Sequence, residues 1–106
     1  MSKKVKIRAS LQDGVTTVKA LMTHSMETGA RKDKDTGELI PAHYIQEVVV
    51  THNDAVVMNA YWGTGVSKNP YLSFKIKGGA EGDTIALMWN DNLGESGSGE
   101  TTIKAK

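Results

Sequence analysis

The sequence predicts an all-β domain in which short antiparallel strands form two sheets packed face to face. Apolar and polar residues alternate with a period of two over most of the chain. Clusters of Gly, Asn and Asp separate the alternating segments. No segment keeps the helical period of about 3.6 residues over several turns. A chain of 106 residues has room for one hydrophobic core, so residues 1–106 are expected to form a single domain.

The N-terminal part of the chain predicts the first two strands. From Lys4 to Leu11 apolar residues occupy the odd positions and polar residues the even ones, as in a strand with one face in water. The turn Gln12-Asp13-Gly14 follows. The second strand ends near His24, and Leu21 breaks its phase. Its inward residues are predicted to be Val18, Ala20 and Met22.

The middle of the chain predicts a long loop and a hairpin. Residues 26–43 have no sustained period and contain Gly29, Gly37 and Pro41, so they are interpreted as a loop. Tyr44–His52 and Ala55–Trp62 are the next two strands. Asn53-Asp54 between them suits a two-residue hairpin turn, because both residues tolerate positive φ.

The C-terminal part predicts three more strands separated by loops at 63–69 and 90–99. One strand starts at Pro70, the next carries Ile85, Leu87 and Trp89 on one face, and the last covers 101–105. The inward residues of the strand after Pro70 are predicted to be Leu72, Phe74 and Ile76. About seven short strands separated by turns are typical of an immunoglobulin-like antiparallel β-sandwich.

Composition excludes several classes of function. Thirteen Lys and Arg oppose twelve Asp and Glu, so net charge favours neither nucleic acid nor an anionic membrane as partner. The absence of cysteine excludes thiol nucleophiles and thiolate metal sites. The N-terminus lacks the apolar stretch of a secretory signal, and no apolar run is long enough to span a membrane. From composition alone we expect a cytoplasmic chain, or one exported by a route that its sequence does not show.

One segment raises the alternative of a periplasmic copper-binding β-sandwich. Met22, His24 and Met26 occupy alternate positions, so in an extended strand their side chains face the same way. Two thioethers and an imidazole are suitable ligands for copper(I). Methionine also fills irregular gaps in cores, and this structural interpretation is favoured.

The remaining candidates for chemistry are weak. Residues 33–38 resemble the first half of a calcium loop, but Gly37 stands where a ligand is needed, so a solvated turn is expected. His43 and His52 stand alone in the sequence, and no nucleophile, base and orienting group can be assembled from spacing. We therefore expect no enzymatic activity, no cofactor and no catalytic residue.

Two loops favour a protein-binding module. Aromatic side chains beside a loop are frequent anchors of binding hot spots, and the 63–69 loop is flanked or occupied by Tyr61, Trp62, Val66 and Tyr71. Residues 29–34 add a glycine-hinged basic loop that can hold a partner's carboxylates. For Trp62 a core position is an equally good interpretation, because its phase matches the inward residues.

The chain also resembles the SoxZ family, the small subunit of the SoxYZ sulfur carrier. The resemblance covers nearly the whole chain and rests on LMTHSMETGARKD at 21–33, IP at 40–41, SKNPYLSF at 67–74 and WND at 89–91. Ser25 stands where the family usually has proline, and Ala30 where a larger apolar residue is common. The resemblance implies an immunoglobulin-like sandwich, in agreement with the strand pattern.

The resemblance further implies a non-catalytic subunit that binds a SoxY-like protein as a heterodimer. SoxY carries the sulfur intermediates of thiosulfate oxidation on a C-terminal cysteine arm, and other Sox enzymes visit the complex transiently. Periplasmic residence is implied through export together with SoxY, which carries the signal. An isolated chain is expected to homodimerise through the exposed face. The residues predicted to bind the partner are Met26, Arg31, Lys32, Asn69 and Tyr71.

Overall fold

The computed structural model describes residues 2–105, which form eight strands and their connecting loops. No helix that could span a membrane occurs in this range. The strands are β1 (Ser2–Gln12), β2 (Val15–Met22), β3 (Ile45–His52), β4 (Ala55–Tyr61), β5 (Tyr71–Lys77), β6 (Thr84–Asp91), β7 (Ser96–Thr102) and β8 (Lys104–Ala105).

The strands form two layers that share β1. Sheet one has the order β4-β3-β6-β7, and sheet two has the order β5-β2-β1. Residues 2–4 of β1 pair with β7, whereas the rest of β1 pairs with β2 and, at 10–11, with β8. This arrangement is the predicted immunoglobulin-like sandwich. The contacts of β1 with β7 and β8 are parallel, whereas all the other strand pairs are antiparallel as expected.

The core lies between the two sheets and contains the residues that alternation predicted. Val18, Ala20 and Met22 of β2 are buried, and they face Ile85, Leu87 and Trp89 of β6 in one cluster. The side chains of β5 that were predicted inward are partly buried and pack against this cluster. Leu21, which broke the phase of β2, is exposed. Trp62 is half-buried and packs against the core.

The β3–β4 hairpin turns where the sequence indicated. Asn53 and Asp54 have φ of 49° and 69°, as a two-residue turn with two left-handed residues requires. The Asn53 Oδ1 atom accepts the Thr84 amide at 2.8 Å, so the turn is also attached to β6.

The predicted loop at 90–99 was wrong. The strand β6 continues to Asp91 and β7 begins at Ser96, so only residues 92–95 connect them. Glycine in β7 suggested a loop, but Gly97 and Gly99 serve close packing instead. A Cβ atom at Gly97 would overlap the Trp89 indole, and one at Gly99 would overlap the Val5 carbonyl oxygen.

Charge is divided between the two sheets. The strands β3, β4, β6 and β7 contain no Lys or Arg. The strands β1, β2, β5 and β8 contain no Asp or Glu. Nine of the twelve Asp and Glu lie in turns and loops outside the strands, so the loops supply most of the negative charge that balances the basic strands.

Candidate functional site: the histidine end of the sandwich

At one end of the sandwich three polar side chains meet in a largely buried cluster. His24 follows β2, His43 precedes β3, and Asp91 ends β6. His24 and Asp91 are each 2% exposed, and His43 is half-buried. We call this region, together with the loops that carry it, the histidine end.

The hydrogen bonds of His24 define its protonation. Its Nδ1 atom accepts the Met26 amide at 3.0 Å, so this nitrogen carries no proton. Its Nε2 atom lies 2.9 Å from Asp91 Oδ2 and therefore donates to the carboxylate. The ring packs edge-on against Trp89, with the centroids 5.1 Å apart. His24 is thus a neutral imidazole fixed between a loop amide and a buried carboxylate.

His43 completes the cluster from the solvent side. Its Nε2 atom lies 2.7 Å from Asp91 Oδ2 and 2.8 Å from Glu95 Oε2. His52, at the opposite end of β3, lies 2.7 Å from Asp83 Oδ2, and this hydrogen bond lowers the pKa of Asp83. The expectation that His43 and His52 stand alone was therefore wrong, because folding brings a carboxylate to each.

Asp91 is the centre of the cluster. Its Oδ1 atom accepts the amides of Leu93 at 3.0 Å and Glu95 at 2.8 Å, so it also shapes the β6–β7 turn. Burial favours the neutral acid and acts to raise the pKa of Asp91. The hydrogen bonds from His24, from His43 and from the two amides outweigh burial and lower the pKa to about 2.

The cluster has the composition of a metal site but is complete as a hydrogen-bond network. One ligand atom each from His24, His43 and Asp91 lie within 4.8 Å of one another. Both nitrogens of His24 already have partners in the chain. The donor set alone therefore gives no reason to assign an ion here.

The copper hypothesis is weakened by the same hydrogen bonds. Met22, His24 and Met26 are all buried, but β2 ends at Met22 and Met26 has a φ of 49°, so the three residues do not alternate along one extended strand. The Met26 sulfur accepts the Ile45 amide at 3.3 Å, and both nitrogens of the His24 ring are hydrogen-bonded within the chain. Copper(I) binding by these residues remains an untested hypothesis that no geometry here favours.

A shallow cleft opens beside the cluster. Its lining residues are Ser25, Met26, Glu27, Thr28, Arg31 and Lys68. The Arg31 guanidinium donates to both carboxylate oxygens of Glu27, at 2.6 and 3.2 Å. This pairing lowers the pKa of Glu27 and raises that of Arg31. The cleft thus has an ion pair on one wall and the ammonium of Lys68 on another.

The 26–43 loop is folded back on itself. Antiparallel bridges join Glu27 to His43 and Lys32 to Leu39. Hydrogen bonds from the Asp35 and Thr36 amides to Asp33 Oδ1 close the tip, in agreement with the predicted solvated turn. Every residue from 30 to 39 is exposed. The loop is therefore an arm that projects from the histidine end, and we call residues 27–43 the arm.

The predicted partner-binding residues fall into two groups. The histidine end contains Met26, Arg31 and Asn69, and the exposed Lys32 lies on the arm. Asn69 Oδ1 accepts the His24 amide at 3.1 Å, and the Asn69 amide donates to the His24 carbonyl at 2.9 Å. Asn69 thus fixes the loop before β5. Tyr71 lies apart from this group, on the outer face of sheet two opposite Leu21.

Sequence reasoning missed the roles of Asp91, His43 and Glu95. Asp91 belongs to the segment Trp89-Asn90-Asp91, which carried part of the family resemblance, and this was the available signal. Its pairing with two histidines separated by 67 and 48 positions had no local sequence pattern.

Solved structures share the fold. A superoxide reductase from Thermotoga maritima, described as putative, aligns with a TM-score of 0.62 and 14% identity over 100% of this chain and 88% of that chain. The superoxide reductase (neelaredoxin) from Archaeoglobus fulgidus in the reduced form aligns with a TM-score of 0.61 and 18% identity over 98% and 91%. At these identities the likeness concerns the fold alone. No curated protein matches the chain in sequence.

Fold and site together define an immunoglobulin-like sandwich whose loops are fixed at one end by a buried histidine–aspartate network. A family model described as sulphur oxidation protein SoxZ matches residues 5–102. The chain belongs to the SoxZ family and is a subunit of a Sox sulfur-oxidation system.

Proposed function

We propose that the chain is the non-catalytic scaffold of a SoxYZ-type carrier, which holds a SoxY-like protein while that partner's cysteine arm carries sulfur intermediates during thiosulfate oxidation. The match to the SoxZ family over residues 5–102 is the observation that carries this proposal. The chain contains no cysteine, so a thiol that carries sulfur must come from another protein.

The surface that best suits a lasting partner is the outer face of sheet one. Val49 of β3 and Met88 of β6 lie opposite each other, flanked by Asn59 and Ser98. Met88 is 53% exposed and Tyr61 of the edge strand 76%. We call this surface the apolar face. Large exposed apolar side chains are typical of the centre of a permanent interface, and Lys4 of β1, which lies beside Ser98, marks the border of this surface.

The histidine end supports the same function by rigidity. Asp91 and Asn69 connect β6, β2 and the start of β5 through side-chain hydrogen bonds, so the base of the arm is fixed while its tip stays exposed. A rigid scaffold with a projecting loop can position a flexible segment of a partner. Residence in the periplasm, through export with the partner, belongs to the proposal and rests on the family.

Co-expression with the SoxY-like protein of the same organism tests the proposal. We expect one heterodimer in size-exclusion chromatography at micromolar concentration, with roughly 1,200–2,000 Å² buried. The purified chain alone should not turn over thiosulfate. Two independent monomers, or turnover without the partner, would contradict the proposal.

A further inference from the structure

The cations of the strands are concentrated on one surface. Six exposed side chains project from the outer face of sheet two and its added strand β8, namely Lys6, Arg8, Lys19, Lys75, Lys77 and Lys104. We call this surface the basic face. Its strands contain no acidic residue, and among residues 2–105 none of these six cations forms an ion pair.

The cations are placed where they repel one another. The register sets Arg8 of β1 directly opposite Lys19 of β2. Like charges at directly opposed positions destabilise a sheet. In the adjacent row Lys6 lies opposite Leu21, which lies opposite Tyr71. Leu21 is 39% exposed and Tyr71 61%, so a small apolar patch borders the charges.

We infer that the basic face docks an acidic surface of a second folded protein in short-lived complexes. Five of the six cations are lysines, whose hydrated ammonium groups attract an acidic surface at a distance without demanding one bidentate geometry. Such charges raise the rate of association more than the affinity. The apolar contribution of Leu21 and Tyr71 is too small for a permanent interface.

The inference rests on the proposed function in one respect. A carrier subunit that keeps one partner permanently must meet several enzymes in turn, and the basic face lies on the sheet opposite the apolar face. The expected occupant is therefore an acidic surface on an enzyme that loads or unloads the carrier.

Nucleic acid and anionic bilayers fit the face less well. The acidic residues outside sheet two reduce the net charge of the chain to +1, which weakens long-range attraction to a polyanion. Tyr71 is the single aromatic side chain on the basic face, whereas single-stranded nucleic acid is bound by successive stacking rings.

Association kinetics with the purified enzymes of the organism's thiosulfate-oxidising system test the inference, with the chain immobilised alone and as the heterodimer. The double variant Arg8→Gln/Lys19→Gln removes two charges from the basic face. The control Thr64→Glu/Gly65→Glu changes net charge equally on an exposed loop, where a side chain at Gly65 meets open space.

We expect the basic-face variant to associate with at least one enzyme about tenfold more slowly at about 20 mM NaCl, with dissociation nearly unchanged. The difference should shrink at about 200 mM NaCl, and the control should keep the wild-type rate. Intact heterodimer in the same variant would separate this result from the proposed function, which is tested by dimer formation.

Several outcomes would overturn the inference. Equal slowing of both variants would show an effect of net charge alone, and no slowing would exclude the face as a docking site. Tighter binding of an oligothymidine of about 20 nucleotides, or of phosphatidylglycerol vesicles, than of any enzyme would indicate a different occupant. Displacement of the enzymes by thiosulfate at constant ionic strength would indicate a small-anion site.

Discussion

The outer faces of the two sheets arise from the same alternating sequence pattern but differ in chemical character. In sheet one the outward positions of β3, β4, β6 and β7 around Val49 and Met88 carry no cation. Glu47 and Glu100 lie at the borders, and the first cation in this row is Lys4 of β1, beside Ser98. In sheet two nearly every row of outward positions contains Lys or Arg. The comparison teaches that a chain with a net charge near zero can still have one strongly basic sheet face, because most of its acidic residues lie in the loops. It also suggests a division of labour between a permanent partner and transient ones.

Met88→Lys is the strongest test of this division. A cation at the centre of the apolar face would be desolvated in the complex without a partner of opposite charge. We expect binding of the SoxY-like protein to weaken by roughly 100-fold or more, or about 3 kcal/mol. Isothermal titration calorimetry measures the loss, and Met88→Leu is the volume-conserving control. Wild-type affinity in Met88→Lys would place the partner elsewhere.

Asp91→Asn should lower stability without changing either outer face. The amide keeps one oxygen for the loop amides, but its NH₂ group would meet the N–H donors of His24 and His43. We expect the free energy of unfolding in urea to fall by about 2–3 kcal/mol. Stability within about 0.5 kcal/mol of wild type would show that the network is not what fixes the histidine end.

The carboxylate of Asp91 also predicts how the free energy of unfolding responds to acid. Its folded-state pKa of about 2 lies below the value of roughly 3.9 for unfolded Asp. The ionised group therefore contributes stability that is fully present above about pH 4 and is lost as the pH falls toward 2, amounting to about 2 kcal/mol. Urea titrations across this range should show the loss in the wild type and less of it in Asp91→Asn. Parallel curves would contradict the assignment.

Arg31→Ala and Tyr71→Ala compare the histidine end with the basic face. Each is expected to weaken the heterodimer or slow sulfur loading by about fivefold, or about 1 kcal/mol, and to leave the isolated fold intact. Tyr71→Phe is the matched control, since it keeps the ring. If neither alanine variant changes affinity or loading, the working surface is the apolar face alone.

The smallest expected effect is a gain in stability. Arg8→Gln/Lys19→Gln removes an opposed pair of like charges, so the isolated chain should become more stable by about 0.5 kcal/mol at low salt. The gain should vanish at about 1 M NaCl, where screening is strong. Urea titrations at both salt concentrations measure it. A loss of stability would mean that these side chains contribute packing that outweighs their repulsion.

Much of the fold could be predicted from the sequence because alternation reports directly which residues face the core. The hairpin at Asn53-Asp54 was predicted for the same reason, since turn chemistry is local. The strand β7 was missed because its glycines indicate a loop when considered alone. Their purpose depends on Trp89 and on the backbone of β1, which are distant in sequence.

The candidate site was less predictable. Arg31 and Asn69 were singled out from motifs, and the structure brings them to one end, whereas Tyr71 lies on another surface. The basic face was indicated by the alternating Lys6 and Arg8, but the net charge of the whole chain gave no sign of it. Pairing of His24 and His43 with Asp91 requires the complete topology, so no local pattern could indicate it.

The strand β1 closes the sandwich by pairing with β7 and β8, which are the last strands of the chain. Its Ser2 lies beside Ser96, so this contact joins the two ends of the described chain. Pairing of residues this far apart in the sequence has a large entropic cost of loop closure. Such contacts slow the folding of β domains to milliseconds or seconds. During folding, the edge of β1 that pairs with β7 and β8 stays open until those strands are in place. This edge is therefore expected to be accessible to other strands in partly folded states, where it could support wrong pairings between chains.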